Sequence, residues 1–404
     1  RKVGEMYAAN TVGAILGSFV AGFIFIPAIG RQSTILVAVG VNLLSALILY
    51  TVLARAGWMN RRAWIPAGVL AAAALSLLPI TARRWDPYLM ASGAYVYAES
   101  YAKDKDMTAS IHEQRLLLFK EESEAILSVW RSQHVLSLRT NGKVEASSSG
   151  DMLTQKMISH LPILYHRAPS DVLMIGLASG ISLGSVIVHP EVSKADCVEM
   201  LAGMREVSDY FRKWNHDALR DPRTKLLIND GRNYLQLTDR MYDVIISQPS
   251  NPWIVGIGSL FTREFFQLGA RRLNPDGIFC QWVQTYQMSR ADFGSILKTY
   301  HEVFPHVAIW MGVPGDVILV GGRQPLGLDW NRLHDRLAVP SVAEDLDVVG
   351  VTDPESFLTA YLGGEAMLTS LTREAGPIIT DDNLLLEFSM PQNLYDPHVL
   401  MMDQ

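Results

Sequence analysis

The stretch "DVLMIGLASG", Asp171–Gly180, decides the fold. An apolar run of strand length enters a glycine-rich turn. Glycines let the backbone approach a ligand there, and the N-terminus of a following helix favours an anion. Downstream the pattern recurs: "KADCVEM" is a second strand ending in an acid, "TKLLINDG" a third, "YDVIISQP" a fourth and "GIFCQWV" a fifth. Helical segments at 200–216 and 261–273 intervene. Strands alternating with helices predict a parallel, doubly wound α/β sheet. Such sheets bind ligands beyond the carboxyl ends of the strands, at the point where strand order reverses. The residues just after each strand are therefore the candidates.

Strand one ends at Gly176, with Ser179 and Gly180 in its turn. Strand two ends in Glu199, about twenty residues on, a spacing suited to ribose hydroxyls. Strand three ends in Asp230 and Gly231, where an acid can accept from an exocyclic amine. Together these predict a nucleoside pocket. No lysine follows the glycine turn, which disfavours a nucleoside triphosphate. Strand four ends in "SQPSNPW", Ser247–Trp253, which offers the amides Gln248 and Asn251 but no acid. Gln281, Gln284 and Tyr286 lie at or beyond strand five.

Upstream, the chain reads as membrane-embedded. It is 49% hydrophobic, and residues 6–30, 32–54 and 63–82 carry no charged side chain. Each run can cross a bilayer core of ~30 Å at 1.5 Å per residue, so residues 1–84 are expected to be transmembrane helices. Gly13 and Gly17 in "GAILG", with Gly22 beyond, suit close approach of a partner helix. The chain opens on Arg1 and enters an apolar run at once, so further helices are expected upstream. Residues 85–114, with Trp85, Tyr88, Tyr95 and Tyr97, read as a juxtamembrane linker. Residues 115–170 hold a small β-element, turning at Asn141-Gly142, and the first core helix. The Rossmann-like core spans 171–325 and closes on an antiparallel hairpin at 307–322; residues 326–404 read as a helical extension and a C-terminal strand.

The net charge of −6 argues against a nucleic-acid partner. Cys197 and Cys280 sit in apolar runs and read as small buried hydrophobes. The ten histidines show no metal-ligand spacing; His160 reads as a packing or capping residue and His189 as a helix-end histidine. Asp381-Asp382 reads as a turn or helix cap, and Arg263-Glu264 as a solvated face.

Taken together, "MLTQKMISHLPILYHRAPSDVLMIGLASG…CVEM…NDGRNYL…YDVIISQPSNPW…LFTREFF" resembles the spermidine synthase (polyamine aminopropyltransferase) family over about 115–322. Residues 1–84 and the "TDDN" tail resemble its membrane-fused bacterial branch. The resemblance implies a small β-domain, a methyltransferase-type core, decarboxylated S-adenosylmethionine as donor and putrescine as acceptor. It matches Glu199 to the ribose-holding acid, Asp230 to the adenine-holding acid and Gln155 to a site glutamine, and Asp151 lies near an acidic position of the family.

The departures carry chemistry. Ser179 stands where the family has an acid gripping the donor's amine, Thr154 stands where it has a tyrosine, and Gln248 and Asn251 stand where it has two aspartates. Amides accept hydrogen bonds but take no proton near pH 7. Losing a general base typically costs ~10²–10⁴-fold in rate. Ser179 also removes an acid that would repel the carboxylate of intact S-adenosylmethionine.

Three readings follow: a transferase using S-adenosylmethionine or its decarboxylated form on an altered acceptor, with no metal; an inactive nucleoside-binding or empty subunit of a membrane complex; and a transporter. The expected partners are membrane lipid, a small-molecule amine, and further membrane subunits or a second copy. The expected location is the bacterial inner membrane, multi-pass, with the soluble domain on the cytoplasmic face.

Overall fold

The structure is a computed structural model that describes residues 2–57, 84–103 and 106–394. The chain divides into two compact units, Arg1–Ser128 with Thr140–Gly142, and Val129–Arg139 with Lys143–Gln404.

Among the described residues, the first unit contains one apolar helix, Lys2–Arg55, of 54 residues, whose most apolar stretch has none of its residues buried. A single helix thus covers the spans expected at 6–30 and 32–54. The backbone leaves helical values within it, at Gly30 (φ 80, ψ 165). There the Glu121 carboxylate accepts from the Arg31 amide at 3.1 Å, and a Cβ on Gly30 would lie 2.5 Å from that carboxylate oxygen. The span expected at 63–82 falls outside the described residues. The linker is not featureless: it carries the short helices Pro87–Met90, Ala98–Tyr101 and Met107–His112.

Strands β1 (Arg115–Glu121), β2 (Ile126–Ser132), β3 (Val135–Thr140) and β4 (Lys143–Ser147) form a four-stranded sheet in chain order. Asn141 and Gly142 join β3 to β4 with φ of 51 and 85. Two successive positive values define the tight hairpin turn that an Asn-Gly pair favours.

The second unit is built on an eight-stranded sheet of order β12-β10-β11-β9-β8-β5-β6-β7. Its strands are β5 (Asp171–Ile175), β6 (Lys194–Glu199), β7 (Thr224–Ile228), β8 (Tyr242–Ser247), β9 (Leu273–Gln284), β10 (His306–Met311), β11 (Asp316–Gly322) and β12 (Tyr361–Gly363). The five strands from β7 to β9 run parallel, and β11, β10 and β12 add antiparallel neighbours. Strand order reverses between β5 and β8, so the glycine turn and the "SQPSNPW" turn are neighbours.

Helices α1 (Met152–Tyr165), α2 (Ile181–Ile187), α3 (Met204–Tyr210), α4 (Gly231–Leu237), α5 (Arg263–Arg271) and α6 (Arg290–Val303) accompany the sheet. On the α5–α6 face, Phe265, Phe266, Phe279, Tyr300 and Phe304 form a buried aromatic core, with Phe266 and Tyr300 edge-to-face at 5.1 Å. This core anchors β8 and β9 and holds their carboxyl ends in place. Thr262 caps α5 by accepting from the Phe265 amide, as a threonine before an amphipathic helix should.

The extension holds α7 (Trp330–Leu337), α8 (Pro340–Asp347) and shorter helices. The closing segment, expected as a strand, is instead a helix at Leu385–Ser389 that begins after Leu384 at φ 38. A short apolar run does not discriminate strand from helix by pattern alone. Asp381 lies in the preceding turn and accepts from Arg232 and from Thr262 Oγ1 at 2.8 Å.

Candidate active site at the carboxyl ends of the sheet

The glycine turn follows β5 because its backbone needs angles that other residues resist. Gly176 has φ 96 and Gly180 φ 78, and Ala178 between them takes φ 46. A Cβ on Gly176 would lie 2.6 Å from the Gln248 carbonyl oxygen, and one on Gly180 would lie 2.6 Å from Ser208 Oγ. The Gln248 amide in turn donates to the Ile175 carbonyl at 3.0 Å. The two turns are therefore in direct backbone contact.

Glu199 ends β6 and is 8% exposed. Its Oε2 accepts from the Leu177 amide at 2.9 Å, and its Oε1 from the Leu201 amide at 2.8 Å. Burial pushes the Glu199 carboxyl up, and those amides pull it back only in part. The carboxylate thus braces the glycine turn, in a place where further lone pairs can face a ligand. Asp230, beyond β7, caps α4 by accepting from the Asn233 amide at 2.7 Å, with Gly231 opening the helix.

The polar groups of α1 and α2 line the same end. Ser179 Oγ donates to Gln155 Oε1 at 2.6 Å, and Gln155 Nε2 donates to the Ser147 carbonyl at 2.8 Å. Ser182 Oγ donates to Gln248 Oε1 at 2.7 Å. Asp151 accepts from the Ser147 amide at 2.9 Å and from the Ser147 hydroxyl. Burial pushes its carboxyl up despite the Ser147 hydrogen bonds.

Asn251 is fully buried; its Nδ2 donates to Tyr286 Oη at 3.2 Å, and its Oδ1 has no partner. Gln284, also fully buried, donates to the Tyr286 carbonyl at 2.9 Å and leaves Oε1 without a partner. Gln281 does not share this face. It lies level with Ser247 of β8 and alternates with Gln284, on the side of Phe279 and Val283. Residues three apart on a strand face opposite ways, so Gln281 and Gln284 project to opposite faces of β9.

Two acids complete the site and had no place in the sequence reading. Asp316 opens β11 and is 8% exposed; its Oδ2 accepts from Thr154 Oγ1 at 2.8 Å. Burial pushes it up to about 6, and the charge of Asp151 adds to the rise. Glu145 on β4 accepts from Ser250 Oγ at 2.8 Å, inside the amide turn, and pairs with Lys143 at 3.3 Å. The available signal was topological: in a hairpin antiparallel to the sheet, the first residue of a strand arrives where parallel strands end. Among the described residues, no group of three or more His, Cys, Asp or Glu is placed to hold a metal ion.

His160 and His189 belong to a buried polar cluster. On the outer side of α1 and α2, the buried Asp345 of α8 accepts from Lys156 Nζ, His160 Nε2 (2.9 Å), Ser185 Oγ (2.7 Å) and His216 Nε2. His160 Nδ1 faces His189 Nε2 at 2.8 Å. Burial lowers both histidines, and Asp345 is the carboxylate shared by the cluster.

A parallel sheet with a glycine turn at its switch point and acids at the next two strand ends defines a Rossmann-like domain. More particularly, residues 151–314 match the family described as the Spermine/spermidine synthase domain. A polyamine aminopropyltransferase of Erwinia tasmaniensis is 39% identical over 141 residues, 34% of this chain and 49% of that protein. Polyamine aminopropyltransferase 2 of Pseudomonas aeruginosa is 29% identical over 232 residues, 55% of this chain and 64% of that protein. The chain thus spans about half to two thirds of the length of these curated relatives. The spermidine synthase of Thermotoga maritima superposes with a TM-score of 0.52 at 20% identity, over 64% of this chain and 87% of that one. A spermidine synthase in complex with the transition state analogue AdoDATO gives 0.51 at 20%, with the same coverage. These two structures share the fold with this chain.

Proposed function

We propose that the chain is a membrane-anchored transferase that moves an alkyl group from a sulfonium nucleoside, S-adenosylmethionine or its decarboxylated form, to an amine. The observation that carries this reading is the contact of the Gly176 and Gln248 turns at the switch point, with the buried Glu199 carboxylate beneath. Gly176 and Gly180 leave room for the nucleoside, Glu199 and Asp230 accept its hydroxyl and amine hydrogens, and Gln155, held by Ser147, orients Ser179. The donor supplies a carbon activated by its sulfonium. The amides Gln248 and Asn251 hold a nitrogen by its hydrogens and take no proton from it.

Calorimetric titration of the full chain with S-adenosylmethionine, its decarboxylated form and methylthioadenosine tests this. Methylthioadenosine is expected to bind, and Glu199→Gln to weaken it about 10–100-fold, the loss of a hydrogen bond to a buried charge. If none of the three binds, the transferase reading fails and the inactive-subunit reading takes its place.

The anchor is the helix Lys2–Arg55, whose Leu16, Phe19, Phe23, Leu44 and Leu47 are largely exposed. Apolar surface on that scale marks a membrane or protein contact. The chain is expected to stay with carbonate-washed membranes, and a chain lacking residues 1–84 to leave them; release of the full chain by carbonate would remove the anchor from the proposal.

A further inference from the structure

Beside the amide turn, three carboxylates gather from three parts of the chain: Glu145 on β4, Asp151 before α1 and Asp316 on β11. Lys143 is the cation that pairs with Glu145, at 3.3 Å. The gathering alone would be a cluster of acids. What points to a ligand is the set of acceptors around it. Asp316 and Gln284 are direct partners across the antiparallel β11–β9 pair. Such partners project to the same face with Cβ atoms about 4.5–5.5 Å apart. Gln284 is wholly buried, and its Oε1 has nothing to accept from. Asn251 Oδ1, in the turn whose Ser250 bonds Glu145, is equally buried and equally unpartnered. Tyr286 connects the two amides, taking Asn251 Nδ2 on its hydroxyl and Gln284 Nε2 on its carbonyl. Its ring passes 3.1 Å from the Cβ position of Gly315, next to Asp316. Tyr286 is 38% exposed, so this side of the recess reaches solvent.

Beside these carboxylates, the buried carbonyl oxygens of Gln284 and Asn251 have no donor of their own. Buried acceptors are normally satisfied, and an ammonium brings three donors and a charge. We propose that Asp316, with Asp151, Glu145 and the free oxygens of Gln284 and Asn251, binds the ammonium group of an alkylamine acceptor, and that Asp316 takes its proton. This rests on the transferase reading for the reaction, though not for the binding. Asp316 then does the work that Gln248 and Asn251 cannot do, from the far side of the site. In the transfer, the acceptor nitrogen gives one proton to Asp316 and bonds the donor carbon. The carbon–sulfur bond breaks with its electron pair left on sulfur, so the sulfonium becomes a neutral thioether and the product is a secondary ammonium. A carboxyl held at about 6 by burial is ionised and ready to accept near neutral pH. The charged groups facing it are Asp151, which raises it, and Lys143, which lowers it, with Glu145 beside Lys143 and Tyr286 at the opening.

The test is titration of the full chain in detergent with 1,4-diaminobutane at pH 8, beside methylthioadenosine. Asp316→Asn is expected to weaken the diamine about tenfold or more and to leave methylthioadenosine unchanged. Asp151→Asn is expected to weaken the diamine less. Wild-type diamine affinity is expected to fall as pH drops through about 6, where Asp316 takes up its proton; in Asp316→Asn that fall is reduced. The thermal midpoint of Asp316→Asn at pH 8 is expected to rise, because a buried carboxylate kept for binding costs stability, whereas a structural acid would lower the midpoint when removed. Unchanged diamine affinity in Asp316→Asn, or no diamine binding by the wild type at millimolar concentration, overturns the proposal. Diamine binding that depends on Asp316 without any nucleoside binding would sink the transferase reading and leave this recess standing.

Discussion

Asp345→Ala is expected to destabilise the folded protein by about 3–5 kcal/mol, read as a lower urea midpoint. Asp345 is the shared acceptor for Lys156, His160, Ser185 and His216, and is 1% exposed. Without it the Lys156 ammonium, 2% exposed, is buried with no counter-ion. Burial pushes the Asp345 carboxyl up, but hydrogen bonds from His160 and His216 and the charge of Lys156 more than offset this, so it titrates below the usual range. A carboxylate with a lowered value contributes stability above its unfolded value of about 3.9 and loses it as pH falls below that point. His160 and His189 are also lowered, by burial first, and they resist charging from about pH 6.5 downward. All three groups therefore make the fold weaken in the same direction, from about pH 6.5 down through pH 4. Adding Lys156→Met to Asp345→Asn is expected to recover most of the loss, because removing both charges leaves only neutral hydrogen bonds to satisfy. An Asp345→Ala protein as stable as the wild type would show that the charges are hydrated.

Gly176→Ala is the second large effect, about 2–5 kcal/mol of stability together with loss of nucleoside binding. Two costs combine. An alanine at φ 96 sits in the left-handed region, at roughly 1–2 kcal/mol. Its Cβ would also lie 2.6 Å from the Gln248 carbonyl, a backbone atom that cannot rotate away; forced displacement in a packed site costs roughly 1–3 kcal/mol. The displacement separates the two turns that make up the candidate site. Gly327→Ala, where nothing lies within 4 Å, serves as the control and is expected to be near neutral. Unfolding followed by circular dichroism and titration with methylthioadenosine give the two readouts. If Gly176→Ala binds the nucleoside with wild-type affinity, the glycine turn is not where it sits.

Much of the core could be read from local pattern. The runs at 171–175, 194–199, 224–228 and 242–247 are strands, and the residues singled out, Gly176, Glu199, Asp230 and Gln248, lie at or just past their carboxyl ends. That succeeded because strand length, glycine turns and an acid at or just past a strand end are written within a few residues of each other. The closing segment shows the limit: "NLLLEFSM" is apolar enough for a strand, and its packing as the helix Leu385–Ser389 comes from the rest of the chain.

What the sequence by itself determined, then, is the parallel α/β core, the order of its strand ends and the amide character of the fourth. The tertiary structure alone decided which acids share the site. Asp316 meets Thr154 across 162 residues, and Asp345 meets Lys156 across 189. Asp316 arrives only because its strand runs against the others. Such neighbours depend on loop closure and on sheet direction, which single-residue chemistry does not encode: a carboxylate's partners are set by where the backbone brings it, and its burial by what packs over it.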